Sequence, residues 1–161
     1  MIEKGNYAFI DGQNLHLGVE EQGWKIDFRR FRIYLKEKYN VVRAYYFIGY
    51  IPTMNDLYSF LQSVGYILIF KPTLKTISGK VKGNCDAELV LQVMVEYEKY
   101  EQAIIVSGDG DFACLVKYLS ERGKLRCLIV PNKEKYSALL KKPAAKKIVF
   151  MNDLKKKLEY K

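Results

Sequence analysis

The sequence predicts an α/β fold, a single three-layer α/β/α domain with a mainly parallel sheet, on three observations. Strand-like segments alternate with helical patterns along the chain, as in doubly wound sheets with right-handed crossovers. Most of these segments are continuous apolar runs, such as Ala103–Ser107, which indicates burial on both faces of the sheet. The 161 residues, 49% of them hydrophobic, are enough for one core and too few for two ordinary ones. We therefore expect residues 1–161 to form one domain.

Six strands and five helices follow from these patterns. The strands are Tyr7–Asp11, Val42–Ile48, Tyr66–Lys71, Ala103–Ser107, Leu125–Val130 and Lys147–Phe150. The helices are Phe28–Tyr39, Met54–Val64, Cys85–Tyr100, Phe112–Arg122 and Glu134–Lys141. Asp27 and Thr53 are the expected N-caps of the first two helices, because their side-chain oxygens can accept from the free N–H groups of a first turn. Gly65 and Gly123 each end a helix, and Pro143 is expected to break the chain before the last strand.

One segment, Thr73–Lys82, departs from the alternation of strands and long helices. It is read as a hairpin flap, because Ser78-Gly79 is a suitable two-residue turn between two short strands. The alternative is an irregular surface loop. The flap would carry three lysines that we expect to bind substrate phosphates: Lys75, Lys80 and Lys82.

Positive charge is concentrated at the C-terminus. The net charge is +9, and the lysine-rich segment 133–161 carries +7 of it through ten lysines and three acidic residues. Such a segment fits attraction to phosphate polyanions. A solvated surface that aids solubility explains the charge equally well, so the segment becomes informative only beside a site.

Composition argues against several kinds of site and location. No apolar run approaches the roughly 20 residues that span a bilayer, so no membrane association is expected. The first residues, Met1–Asn6, lead directly into a strand, and no signal peptide is expected. Three scattered cysteines (Cys85, Cys114 and Cys127) without a C-x-x-C pair predict a reducing, cytoplasmic location. A single histidine, His16, argues against a His-based triad or a His-rich zinc site.

Aspartates follow two of the apolar strands. Asp11 closes the first strand, and Asp109 and Asp111 come just after the strand Ala103–Ser107. In open α/β sheets, ligands bind outside the carboxyl ends of the strands, where the strand order reverses. If these two strands flank that point, the three carboxylates face one another across a crevice. Neighbouring glycines, namely Gly12, Gly108 and Gly110, are expected to allow tight turns there.

A fourth acidic residue, Asp86, begins the helix that leads into Ala103–Ser107, and it is expected at the same edge. The alternative is a structural role, because acidic residues are favoured at helix N-termini. Two carboxylates about 4 Å apart repel by roughly 4 kcal/mol at an effective dielectric near 20, so a cluster of them requires cations or protons. Oxygen-only ligands select Mg²⁺ or Mn²⁺, and these ions commonly serve phosphate-ester chemistry. Glu88 is kept as a reserve ligand.

Other phosphate-handling sites match less well. The turn Gly108–Asp111 lacks the G-x-G-x-x-G spacing of dinucleotide sites. Asp11 is followed by Gly-Gln-Asn and not by the second aspartate of a phosphatase motif. A phospho-receiver would need an acceptor aspartate in mid-sheet and a late lysine partner. A primase-like fold also uses an Asp-x-Asp pair, but with a glutamate after its first strand, and it stays as the alternative fold.

Three segments resemble, in order and spacing, the signature blocks of NYN domains. They are Phe9–Asn14, Lys82–Leu91 and Ser107–Phe112. NYN domains belong to the PIN-like nuclease superfamily, and the sequence is most similar to the LabA-like branch. The resemblance covers residues 6–130 and implies strand order 3-2-1-4-5 with ribonuclease chemistry that uses Mg²⁺ or Mn²⁺. By position it implies four catalytic and metal-binding residues, Asp11, Asp86, Asp109 and Asp111. Asn14 and Ser107 match supporting positions.

The expected function is therefore that of a metal-dependent ribonuclease, a hydrolase that cleaves RNA endonucleolytically. The expected partner is single-stranded or structured RNA, with DNA and a homo-oligomer left open. Tyr50 and Tyr136 are candidates for stacking on bases. Gln92 stands where many family members have a second aspartate on the middle helix, and a neutral side chain there is a poorer ligand. A one-metal site, or an inactive RNA-binding or regulatory NYN protein, is the alternative.

Overall fold

The sheet of the computed structural model has six strands, all parallel, in the order β3-β2-β1-β6-β7-β8. The structure describes residues 4–72, 74–75, 81–82 and 85–161. Its strands are β1 (Asn6–Asp11), β2 (Val41–Tyr50), β3 (Tyr66–Pro72), β4 (Leu74–Lys75), β5 (Val81–Lys82), β6 (Ala103–Val106), β7 (Leu125–Val130) and β8 (Ile148–Phe150). With the short strands β4 and β5 set aside, this order confirms the predicted 3-2-1-4-5 arrangement, extended by β8.

Helices cover both faces of the sheet. They are α1 (Gly12–Glu20), α2 (Phe28–Tyr39), α3 (Asn55–Ser63), α4 (Asp86–Val95), α5 (Ala113–Glu121), α6 (Lys141–Ala144) and α7 (Lys155–Leu158). Short 3₁₀ turns lie at Pro52–Met54, Gly110–Phe112, Ala138–Leu140, Ala145–Lys147 and Met151–Leu154. Within the described ranges, no helix is both long enough and apolar enough to cross a bilayer.

Strand β1 shows why the apolar runs are continuous. Ala8 and Ile10 pack into the core that includes residues of α1, α2, α3 and α7, whereas Tyr7 and Phe9 pack into the core with α4, α5 and α6. Successive side chains of a strand point to opposite faces, so burial on both faces demands apolar residues at every position. All four side chains are at most 6% exposed. The predicted three-layer α/β/α fold is confirmed.

Local signals explain the helix α2. The side chain of Asp27 accepts a hydrogen bond from the backbone N–H of Arg30 at 3.1 Å, which is the predicted N-cap. The helix ends at Tyr39, and its C-cap is Asn40, whose φ of 52° is left-handed. Both the position and the ends of this helix are as predicted.

One other helix prediction was wrong in its N-cap, and two were wrong in their bounds. Thr53 caps nothing, because a 3₁₀ turn, Pro52–Met54, precedes α3 and no side chain caps its N-terminus. The helix α4 ends at Val95, five residues earlier than expected. The predicted helix Glu134–Lys141 is replaced by a 3₁₀ turn that begins at Ala138 and continues into α6.

Proline and an unpredicted helix account for two further differences. Pro143 lies inside α6 and does not break the chain, because it occupies the first turn, where its missing N–H has no intrahelical partner to lose. The helix α1 was not predicted. Its signals are the side-chain cap from Asp11 and the spacing of the buried Leu15 and Val19, four residues apart.

The flap is described in part. Leu74–Lys75 and Val81–Lys82 pair as antiparallel strands, which confirms the pairing expected for a hairpin. The predicted turn at Ser78-Gly79, the whole of Lys80, and the side chains of Lys75 and Lys82 lie outside the described part of the chain.

Candidate functional site

The site lies where the strand order reverses, between β1 and β6. Ile10 is in register with Val106, so Asp11 and Ser107 follow at the same level of the sheet. The strands β2 and β3 continue to one side of this pair, and β7 and β8 to the other. The carboxyl ends of β1 and β6 therefore form the ligand-binding crevice that is typical of open α/β sheets.

Three carboxylates meet in this crevice. One oxygen from each of Asp11, Asp86 and Asp109 lies within 4.8 Å of the others, and all three residues are half-buried. Asp86 reaches the group because it is the first residue of α4, which packs on β1. Asp111 is exposed on the 3₁₀ turn Gly110–Phe112, and its carboxylate does not join the group. The structure thus brings together three of the four predicted aspartates.

Ser107 and Asn14 connect the two strand ends. The hydroxyl of Ser107 donates to Asp11 Oδ2 at 3.0 Å and accepts from the backbone N–H of Asp109 at 3.1 Å. Asn14 donates its backbone N–H to Asp11 Oδ1 at 3.2 Å, and its Oδ1 accepts from the N–H of Gly108 at 2.8 Å. Ser107 itself is fully buried. These side chains hold the carboxylate of Asp11 and the backbone of Gly108 and Asp109 in place.

Glycines at the site permit close packing. A Cβ on Gly12 would lie 2.5 Å from the ring of Tyr46 and 2.7 Å from the carbonyl oxygen of Phe47. A Cβ on Gly110 would lie 2.5 Å from the hydroxyl oxygen of Ser137. Neither glycine has a positive φ. The close approach of neighbouring atoms, and not a left-handed backbone, is therefore the physical reason for a glycine at these two positions.

The electrostatics of the crevice favour a bound cation. Burial raises the pKa of Asp11, the hydrogen bonds from Asn14 and Ser107 lower it in part, and the charge of Asp109 raises it further. Burial also raises the pKa of the Cys85 thiol to about 11, and the charges of Glu88 and Asp11 add to that shift. Both shifts reflect negative charge gathered in a partly desolvated place. A set of carboxylate oxygens without His or Cys ligands fits a hard divalent ion.

Two residues of α4 point to other partners. Glu88 forms an ion pair with Lys71, at 3.8 Å between Oε1 and Nζ, and does not join the aspartates. The amide of Gln92 donates to Glu96 Oε1 at 3.0 Å, an oxygen that also accepts from the Tyr45 hydroxyl at 3.0 Å. The side chain of Gln92 is therefore held by a buried glutamate toward the C-terminal end of α4.

A loop within the lysine-rich segment 133–161 supports the site from outside. The backbone N–H of Ser137 donates to the carbonyl of Gly108 at 3.0 Å. The ring of Tyr136 packs edge-on against Phe150, at 5.5 Å between centroids. Lys141 Nζ lies 5.7 Å from the centre of the Tyr136 ring. This supporting role was not predicted, although the capping pattern Ser-Ala-Leu-Leu at Ser137 could have indicated it.

A family model for the NYN domain matches residues 7–151. The chain belongs to the NYN domain family. This NYN domain is 28% identical over 163 residues to the low amplitude and bright protein LabA of Synechococcus elongatus, covering 94% of this chain and 86% of that protein. The predicted family and its LabA-like character are confirmed.

A solved structure shares the fold of this NYN domain. It is the crystal structure of a protein of unknown function from Vibrio parahaemolyticus, with a TM-score of 0.77 and 24% sequence identity. The match covers 99% of this chain and 100% of that chain. NYN domains belong to the PIN-like nuclease superfamily, so the chain has a nuclease-type fold that carries an acidic cluster at the switch point of its sheet.

Proposed function

We propose that this NYN domain is a Mg²⁺- or Mn²⁺-dependent ribonuclease that hydrolyses phosphodiester bonds within RNA. The observation that carries the proposal is the group formed by Asp11, Asp86 and Asp109 at the crevice between β1 and β6. Three carboxylates whose oxygens lie within 4.8 Å of one another repel, so the cluster needs a compensating positive charge. A divalent cation removes that repulsion and explains the cluster.

Each residue has a defined part in this proposal. Asp11 and Asp109 hold the ion, and Asp86 completes its shell or orients the attacking water. Asp111 contributes through water, because it is exposed and its carboxylate lies outside the group. The ion supplies Lewis-acid activation of water and neutralises charge on the phosphate. Asn14 and Ser107 keep the carboxylates aligned.

The lysines of the flap and of the segment 133–161 would bind the phosphates of the substrate. The flap lysines are Lys75, Lys80 and Lys82. Their positive charge supplies sequence-independent attraction to single-stranded or structured RNA, and DNA is a second substrate to test. A cytoplasmic location fits such a substrate, and no disulfide joins the cysteines in the described part of the chain.

A second candidate function rests on Gln92. Its amide is engaged with Glu96, so α4 offers one aspartate to the crevice in place of two. An RNA-binding regulator without cleavage activity would tolerate the absence of this second aspartate. The two candidates differ in activity and not in metal binding, because an inactive domain can still bind Mg²⁺.

The test is cleavage of single-stranded and structured RNAs in Mg²⁺ or Mn²⁺ by the wild type and by Asp109→Asn. Asp153→Asn serves as the matched control, since Asp153 is exposed and outside the group. We expect cleavage by the wild type and the control, and a loss of at least a hundredfold in Asp109→Asn. RNA binding without cleavage by the wild type supports the regulator instead. Equal cleavage by all three proteins contradicts the proposed site.

A further inference from the structure

We propose that a cavity beside the aspartate cluster binds one nucleobase of the RNA next to the bond that is cut. The cavity has a volume of about 310 Å³. Its walls are mainly apolar and aromatic, formed by Tyr46, Ile48, Ile51, Met54, Leu57 and Tyr58. We call these walls, together with Gly12, Gln13, His16 and Gly49, the base pocket. The inference rests on the proposed ribonuclease function and adds to it the recognition of a base.

The base pocket exists because β2 is longer than its neighbour β1. Asp11, the last residue of β1, is in register with Phe47, and β2 continues to Tyr50. This overhang forms one wall above the carboxyl end of β1. The start of α1 forms the second wall, and the 3₁₀ turn Pro52–Met54 with the start of α3 closes the third side.

The base pocket and the aspartate cluster share a backbone segment. Gly12, which lines the pocket, directly follows Asp11 in the chain. The hydroxyl of Tyr46 lies 3.5 Å from the carbonyl oxygen of Gly12. A base in the pocket would thus lie at the same edge of the sheet as a phosphate held at the cluster.

The chemistry of the lining selects a base over a phosphate. Among the residues that the structure describes, no lysine, arginine, aspartate or glutamate lines the base pocket, so these walls lack the cations that hold phosphates. The hydroxyl of Tyr58 is already engaged, since it donates to Gly49 O at 3.3 Å and accepts from Ile51 N–H at 3.0 Å. The Tyr58 hydroxyl is therefore not available to an occupant. Mainly apolar walls of this kind suit the faces of an unpaired base.

Polar groups occur at the rim of the base pocket, where the edge of a base would lie. Gln13 and His16 line the pocket and are exposed on α1. An amide and an imidazole can donate to or accept from the edge atoms of a base. The volume is at the lower end of the roughly 300–1,000 Å³ of ligand pockets, which suits one base and not a longer segment.

The test combines RNAs that lack one base with a protein variant that lacks two side chains of the pocket wall. We would measure kcat/KM for a singly cleaved RNA and for copies in which one base near the cut is replaced by an abasic site. The pocket variant is Ile51→Ala with Met54→Ala, and both side chains are more than one-third exposed, so folding should be kept. Phe60→Ala is the matched control, since Phe60 is 40% exposed, close to the 44% of Met54, and lies outside the pocket.

We expect one position at which loss of the base lowers kcat/KM about tenfold in the wild type and in the control. In the pocket variant the intact RNA should already be cleaved about tenfold more slowly, and loss of that base should have no further effect. A 2-aminopurine at the same position should change its fluorescence on binding to the wild type and not on binding to the pocket variant. That readout needs no cleavage, so it separates the base pocket from the nuclease chemistry.

Two results would overturn the inference. The first is an abasic penalty of equal size in the wild type and the pocket variant. The second is bound 2-aminopurine RNA with unchanged fluorescence at every position. Cleavage that depends on Asp109 together with either result leaves the ribonuclease proposal standing and refutes the base pocket. An absence of RNA binding refutes both.

Discussion

Replacing Asp109 with asparagine removes one negative charge from the cluster and keeps the local fold. Asp109 Oδ1 accepts from the backbone N–H of Asp111 at 2.9 Å and caps the 3₁₀ turn Gly110–Phe112. Asparagine has a side-chain oxygen in the same place and is as good an N-cap as aspartate. The substitution therefore separates the electrostatic effect of Asp109 from its structural role.

The size of the effect follows from the distances. Two unit charges 4.8 Å apart repel by about 3 kcal/mol at an effective dielectric near 20. Asp109 faces two such charges, on Asp11 and Asp86, but all three residues are half-buried and solvent screens them. We expect a net stabilisation of about 1 kcal/mol in EDTA. For a chain of this length, that corresponds to a rise in Tm of roughly 2–4 °C.

The assay is thermal unfolding of the wild type and Asp109→Asn at pH 7, in EDTA and in Mn²⁺. An ion present at about 100 times its Kd stabilises the wild type by about 2.7 kcal/mol. Asp109→Asn should lose most of that gain, so the order of the two melting temperatures should invert when Mn²⁺ is added. Asp153→Asn should follow the wild type in both conditions.

Destabilisation of Asp109→Asn by more than about 1 kcal/mol in EDTA would refute the electrostatic reasoning. Such a result would mean that Asp109 is a structural cap whose carboxylate the fold needs. An unchanged response to Mn²⁺ would show that the ion binds elsewhere.

Three further predictions concern Asp11, Gly12 and Gln92, each checked by urea unfolding. The pKa of Asp11 is raised in the folded protein. Ionisation of Asp11 therefore lowers the free energy of unfolding as the pH rises from about 4 through the folded pKa. Asp11→Asn should gain relative to the wild type over that range in EDTA, and a constant difference contradicts this. Gly12→Ala should cost about 1–3 kcal/mol, because its Cβ meets the ring of Tyr46 at 2.5 Å, and a neutral effect would show that the ring moves. Gln92→Asp should lose about 1–2 kcal/mol beside Glu96 without tighter Mn²⁺ binding by calorimetry, whereas tighter binding would place position 92 at the ion.

Much of the fold could be predicted because its signals are local. The apolar run of β1 has to be buried on both faces, and Asp27 identifies the start of α2. The errors occur where tertiary contacts override such signals. Ala138 begins a helical turn because the loop at Ser137 is tied to Gly108, a contact 29 residues away in sequence. A window of neighbouring residues contains no information about that hydrogen bond.

The aspartates also show which features follow from local sequence and which from tertiary contacts. By themselves, the positions of Asp11 and Asp109 after apolar strands determined that an acidic site would form at one edge of a parallel sheet, because the carboxyl ends of such strands share that edge. Only the tertiary structure decided which carboxylates meet. Asp86 joins them because α4 packs on β1, and Asp111 does not, because the turn that carries it leaves its side chain exposed. The base pocket likewise depends on the overhang of β2 beyond Asp11, a matter of strand register and length that is set by packing between distant segments.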